Sequence, residues 1–156
     1  MMTAEEKRIL FKKLEAQALV LIEKAGDMDS VYKGVVELLD TNIPYYNWTG
    51  FYMIEKDKLV LGHYIGKPTD HTTIEIGQGI CGQAAERKET FIVEDVTKED
   101  NYLACSFETA SEIVVPIMKG TEVLGEIDID SDVLGAFDEE DKWLLESIAK
   151  MIADKF

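Results

Sequence analysis

Two short apolar runs, residues 113–118 and 123–129, stand on either side of Lys119-Gly120. Nothing else in the chain restricts its fold so tightly, because runs of this length around a glycine predict two antiparallel strands joined by a tight turn. Successive side chains alternate across a strand, so Val123, Ile127 and Ile129 should share one face and Leu124, Glu126, Asp128 and Asp130 the other. Acids at a strand end are ordinarily a solvated face. Here Cys105 and Glu112 lie just upstream, so two paired strands can fold a thiol and several carboxylates onto one site.

Such a site imposes a register. Glu112 and Asp128 reach one face only if the strands pair with an even residue sum, Met118 opposite Glu122 for example. A two-residue turn at Lys119-Gly120 would pair Met118 with Thr121 and send Glu112 to the opposite face. The spacing therefore predicts a three-residue loop or a bulge.

Upstream, Thr3 and Glu6 form a capping box, and Ile9, Leu10, Leu14, Leu21 and Ile22 recur at helical spacing to about Lys24. Gly26 and Asp27 break this helix. A second is expected from about Asp29, with Tyr32, Val35, Val36 and Leu39 inward, ending before Pro44. From Asn47 the period changes to two: Trp48, Gly50, Tyr52 and Ile54 fall on one face, Phe51 and Met53 on the other. After a polar turn at 55–58, a returning strand at 59–65 completes an antiparallel hairpin. Gly50 between Trp48 and Tyr52 leaves a slot between two aromatics, although ordinary core packing also accounts for such rings.

The loop at 66–73 carries Asp70 and His71; with His63 they match no zinc-ligand spacing, and no metal or cofactor is assigned. Residues 77–82, G-Q-G-I-C-G, formally match a dinucleotide fingerprint. That reading needs a βαβ unit and a parallel sheet, whereas the surrounding pattern is antiparallel hairpins around a short helix. Cys81 opens this helix, where the dipole favours a thiolate; a buried structural cysteine is the competing reading. After a short strand at 91–93, a charged connection at 94–101 delivers Cys105 to irregular chain at the sheet's end, where reactive groups are commonly held. A last helix opens with acids at 138–141 and carries Leu144, Leu145, Ile148, Met151 and Ile152.

The 156 residues, 46% of them hydrophobic, fit a single domain over 1–156 that can bury a core without disulfide staples. Two cysteines, a start without the apolar core of a signal peptide and no apolar run of about 18 residues point to a soluble cytoplasmic protein. A formal charge of -15 with 16 scattered Lys and Arg argues against nucleic acid and anionic lipid as partners. The order of elements predicts an α+β fold, its N- and C-terminal helices packed on one face of an antiparallel sheet.

Taken together, N-W-T-G-F-Y at 47–52, G-I-C-G-Q-A at 79–84, E-D-V at 94–96, A-C at 104–105, S-E-I-V-V-P at 111–116 and I-D-I-D-S at 127–131 resemble the free methionine-(R)-sulfoxide reductases. These are single-domain members of the GAF fold, whose ligand pocket lies on the sheet face away from the terminal helices. The resemblance runs over essentially the whole chain. Each motif is short, but the set in this order is specific, since GAF sensor modules lack the cysteine and acid set as a group.

The resemblance implies a homodimeric enzyme that reduces free L-methionine (R)-S-oxide, with thioredoxin as reductant. In such enzymes the cysteine matching Cys105 attacks sulfur, the acids matching Glu112, Asp128 and Asp130 hold the ammonium group and protonate the departing oxygen, and the aromatics matching Trp48 and Tyr52 line the pocket. Many members carry a third cysteine where this chain has His71. The two-cysteine variety lacks it, which leaves Cys81 as the only intramolecular resolving thiol. Many members also have Asp where Ser106 follows Cys105. The alternative from another class is a GAF module that binds a small ligand or senses redox state without turnover.

Overall fold

The computed structural model describes residues 1–100 and 108–156. Its first helix, α1 (Ala4–Lys24), starts as the capping box dictates: the Glu6 amide donates to Thr3 Oγ1 and the Thr3 amide donates to Glu6 Oε1. The buried stripe runs through Lys7, Phe11, Leu14, Ala18 and Ile22. Ile9, expected inward, is 69% exposed because that stripe passes through Lys7 instead. Helix α2 (Met28–Asn42) is capped by Asp27, which accepts from the Ser30 amide, and buries Val31, Val35, Val36 and Leu39.

Among the described residues six strands follow the predicted hairpins: β1 (Trp48–Glu55), β2 (Lys58–Ile65), β3 (Thr73–Glu75), β4 (Phe91–Val93), β5 (Ser111–Lys119) and β6 (Glu122–Ser131). They form one sheet in the order β3-β2-β1-β6-β5-β4, and the pairings between neighbours are antiparallel. Helix α3 (Gly79–Arg87) lies between β3 and β4 in sequence, and α4 (Glu139–Lys155) closes the chain. The connection after β4 contains a 3-10 turn at Val96–Lys98, which composition alone did not reveal. An antiparallel sheet holds no βαβ unit, so the glycines at 77–82 serve packing rather than a dinucleotide. A Cβ on Gly82 would stand 2.5 Å from the Glu75 carbonyl oxygen, so only glycine lets this turn close on β3.

The register condition on β5 and β6 is met by a bulge. The turn falls one residue later than expected, at Gly120-Thr121, and pairs Lys119 with Glu122 and Met118 with Val123. The register then shifts, Ile117 facing Gly125, and from there to Glu112 opposite Asp130 every pair has the even sum that the shared face requires. Leu124 is the extra residue. Its insertion reverses the expected facing next to the turn: Val123 packs with the pocket-side cluster, Leu124 with the helix-side core.

Helices α1, α2 and α4 cover one face of the sheet over Phe51, Ile113, Val115, Ile117, Ile127 and Ile129. Helix α3 covers part of the other over Tyr52, Val114 and Val93. The two terminal helices are clasped by a buried ion pair, Lys7 Nζ to Asp141 Oδ2 at 2.7 Å. The Ala136 carbonyl at 2.9 Å accepts from the same ammonium, and the Tyr45 and Tyr46 hydroxyls donate to Asp141 Oδ1 at 2.6 and 2.9 Å. Among the described residues no helix is long and apolar enough to cross a membrane.

Candidate active site

On the pocket face, antiparallel pairing lays β1, β6 and β5 side by side as rows of three. Trp48, Asp130 and Glu112 form one row, Gly50, Asp128 and Val114 the next, Tyr52, Glu126 and Pro116 the third. Four acids thus share this face, and none is solvated: Glu112 is 3% exposed, Glu126 0%, Asp128 1% and Asp130 1%. The reading of a solvated acidic strand end is overturned. Helix α3 sets Cys81 over the middle of the grid, where its thiol donates to Asp128 Oδ2 at 3.3 Å and lies 4.0 Å from Glu112 Oε2.

Burial dominates the electrostatics. It raises the Asp128 carboxyl, partly offset by hydrogen bonds from Glu112 and Cys81. It also drives Cys81 well above the usual thiol value, reinforced by the charges of Asp128, Glu126 and Glu112. The expected thiolate at the helix start is therefore not found. A helix end contributes about 0.3–1 kcal/mol to a charge, less than one pKa unit, and three carboxyls around a fully buried sulfur outweigh it. Cys81, Glu112 and Asp128 also bring donor atoms within 4.8 Å of one another.

The site residues divide between two neighbouring cavities. One, with room for about one water, is lined by Tyr52, His71, Ile74, Ile80, Cys81, Glu112 and Asp128. The other, of about 40 Å³, is lined by Asn47, Trp48, Lys67, Glu108, Thr109, Asp130 and Asp132. Trp48 and Tyr52 stand on one face with ring centroids 6.2 Å apart, yet no slot opens over Gly50. A Cβ there would fall 2.6 Å from the Trp48 ring, because the indole itself fills the space and stacks on Tyr64 at 5.2 Å. The indole Nε1–H donates to the Lys67 carbonyl and the Tyr52 hydroxyl to the His71 carbonyl, which ties both rings to the loop before β3. His71, where a third cysteine was absent, thus belongs to the cavity of Cys81. His63 lies elsewhere, 2.7 Å from Asp29 Oδ1.

Cys105 falls outside the described residues, as does Ser106. Glu126 is the residue the candidate set lacked, although strand alternation had placed it on the acidic face. Its signal was parity with Asp128 and Asp130, on the same strand.

The GAF domain model matches residues 25–154. Residues of the chain are 47% identical over 110 positions to the free methionine-R-sulfoxide reductase of Saccharomyces cerevisiae, covering 68% of this chain and 61% of that protein. They are 43% identical over 96 positions to the enzyme of the same name from Escherichia coli, covering 62% and 58%. The match thus spans about three fifths of the length of these two relatives. The free methionine-R-sulfoxide reductase of Neisseria meningitidis, solved in complex with its substrate, superposes with a TM-score of 0.92 at 31% identity, covering 100% of this chain and 93% of that one.

Proposed function

The chain belongs to the GAF domain family and groups with its free methionine-R-sulfoxide reductases, and from that premise we propose that it reduces free L-methionine (R)-S-oxide to methionine. The observation that carries this reading is the buried Cys81 thiol donating to Asp128 beside Glu112, a thiol and proton-bearing acids on one face of the sheet. A module that only binds a ligand has no need of that pairing.

In this reading Cys105 attacks the sulfoxide sulfur while a carboxyl of the Asp128 cluster gives its proton to the oxygen. Methionine leaves, and the oxygen stays on Cys105 as a sulfenic acid. Cys81 then attacks that sulfur, the S–O bond breaks, and the oxygen departs with the thiol's proton as water, leaving a disulfide. Two electrons from a dithiol reductant of the thioredoxin type restore both thiols. Glu112, Asp128 and Asp130 hold the substrate ammonium group, a feature that peptide-bound methionine sulfoxide lacks, and Trp48 and Tyr52 enclose the side chain. The cycle is completed within one domain spanning 1–156, in a homodimer, in the reducing cytoplasm, with no metal or cofactor.

Thioredoxin-coupled consumption of NADPH tests this directly. Free L-methionine (R)-S-oxide should sustain it, whereas the S epimer and a methionine sulfoxide peptide should not. A protein that binds the free amino acid without consuming NADPH or releasing methionine would be the non-catalytic GAF module instead.

A further inference from the structure

Helix α3, β5 and β6 each bring one donor atom to the same small space. Cys81 Sγ lies 3.3 Å from Asp128 Oδ2 and 4.0 Å from Glu112 Oε2, and the three donor atoms fall within 4.8 Å of one another. A tetrahedral ion held at about 2.3 Å by sulfur and about 2.0–2.2 Å by oxygen needs neighbouring ligands roughly 3.4–3.6 Å apart, and the two sulfur distances already bracket that value. All three residues line the cavity with room for about one water, so the space for an ion is present. Asp128 is 1% exposed, and its second oxygen, Oδ1, has no hydrogen-bond partner among the described residues. Among those residues no lysine or arginine lines the cavity to offset its carboxyls, which a dication would do. Each ligand comes from a separate element, so no sequence spacing announces the set.

We propose that Cys81, Glu112 and Asp128 form a site for a thiophilic divalent cation of the zinc class, which holds the enzyme inactive while bound. One sulfur and two carboxylates suit zinc, cobalt or cadmium rather than magnesium or calcium, which take oxygen ligands throughout. As the metal–sulfur bond forms, the S–H proton leaves to solvent and no electron is transferred. Burial and the neighbouring carboxyls hold that proton tightly, but the ion's two charges take its place in the same step. A fourth position is left for water. The bound ion removes both functions from the site: Asp128 has no proton to give, and the Cys81 sulfur is bonded to the metal instead of free to attack. Such an ion is an inhibitor, not a cofactor of the cycle. The inhibition rests on the roles proposed above for Asp128 and Cys81; the binding does not.

Two measurements separate binding from inhibition. The fully reduced chain titrated with Co²⁺ should take up one ion per subunit with a sulfur-to-cobalt charge-transfer band in the near ultraviolet, and Zn²⁺ should abolish the band by displacement. Cys105→Ser should keep the band, Cys81→Ser should lose it, and Asp128→Asn should weaken binding at least about tenfold. No band in the wild-type chain, a band that survives Cys81→Ser, or an affinity unchanged in Asp128→Asn overturns the site. Cys105→Ser leaves the three ligands untouched, so loss of the band there overturns the site even where a ligand variant fails to fold. Methionine release is then followed with no thioredoxin, so that the chain's own thiols are the only ones present. Zn²⁺ at the concentration that displaces Co²⁺ should slow release by the wild-type chain about tenfold or more, and release by Cys81→Ser far less. Equal slowing of the two proteins, or none in the wild-type chain, overturns inhibition through this site. A wild-type chain that binds Co²⁺ as described yet releases no methionine even without metal overturns the proposed reaction, and the inhibition with it, but not the site.

Discussion

At the scale of single residues, burial sets protonation. Asp128 accepts from the Cys81 thiol and carries a raised carboxyl, so it is the acid best placed to hold a transferable proton. Asp128→Asn keeps the shape and removes that proton; methionine release should fall by about 10²–10⁴. A loss within a factor of two would take Asp128 out of the proton path. The two thiols should separate as well. Cys105→Ser should form no methionine, while Cys81→Ser should form about one per subunit and then fail to cycle with thioredoxin, since a lone sulfenic acid offers no disulfide to exchange. Normal cycling by Cys81→Ser would remove it from the resolving step. Sequence alone made these residues legible as types and positions but not their charge states: the helix start suggested a thiolate at Cys81, and only the surrounding carboxyls, brought from β5 and β6, reverse that.

At the scale of elements, periodicity carried most of the reading. The faces of β1 follow strict alternation, Trp48 and Tyr52 toward the pocket and Phe51 toward the helices. Parity also foresaw that a loop or bulge must bring Glu112 and Asp128 together. Where the bulge lies was not legible, because the extra residue is apolar on either side of it and Val123 and Leu124 exchange faces without cost in composition. The Lys7–Asp141 clasp was equally hidden: both look like surface residues of their own helices, and only the docking of α1 on α4 buries them. Asp141→Asn should cost about 3–5 kcal/mol in chemical denaturation, because it leaves the Lys7 ammonium buried without its carboxylate. Pairing it with Lys7→Met should recover most of that loss. If Asp141→Asn costs less than about 1 kcal/mol, the clasp contributes little to the docking of the terminal helices.

At the scale of the whole molecule, the order of elements and the placing of the terminal helices were read correctly, since an amphipathic face has only a few ways to be covered. The price of the buried acids is a stability that depends on pH. Glu126, Asp128, Asp141 and Cys81 are raised in the folded state, so the stability they contribute is complete below their unfolded values and is lost as pH rises through the folded ones. Asp27, Asp95 and Asp138 are lowered, and their contribution is lost as pH falls through their folded values. The melting temperature should therefore be higher near pH 5.5 than near pH 8, helped by relief of the -15 net charge. A melting temperature that rises steadily from pH 5.5 to 8 would mean that Glu126 and Asp128 are not held neutral. The central claim is the reaction itself, and the most direct test is the amount of methionine formed when the fully reduced protein meets free L-methionine (R)-S-oxide with no other reductant present. The wild-type protein should form about one methionine per subunit, with none from the S epimer and none from Cys105→Ser. No methionine from the wild-type protein, or an equal yield from Cys105→Ser, would contradict it.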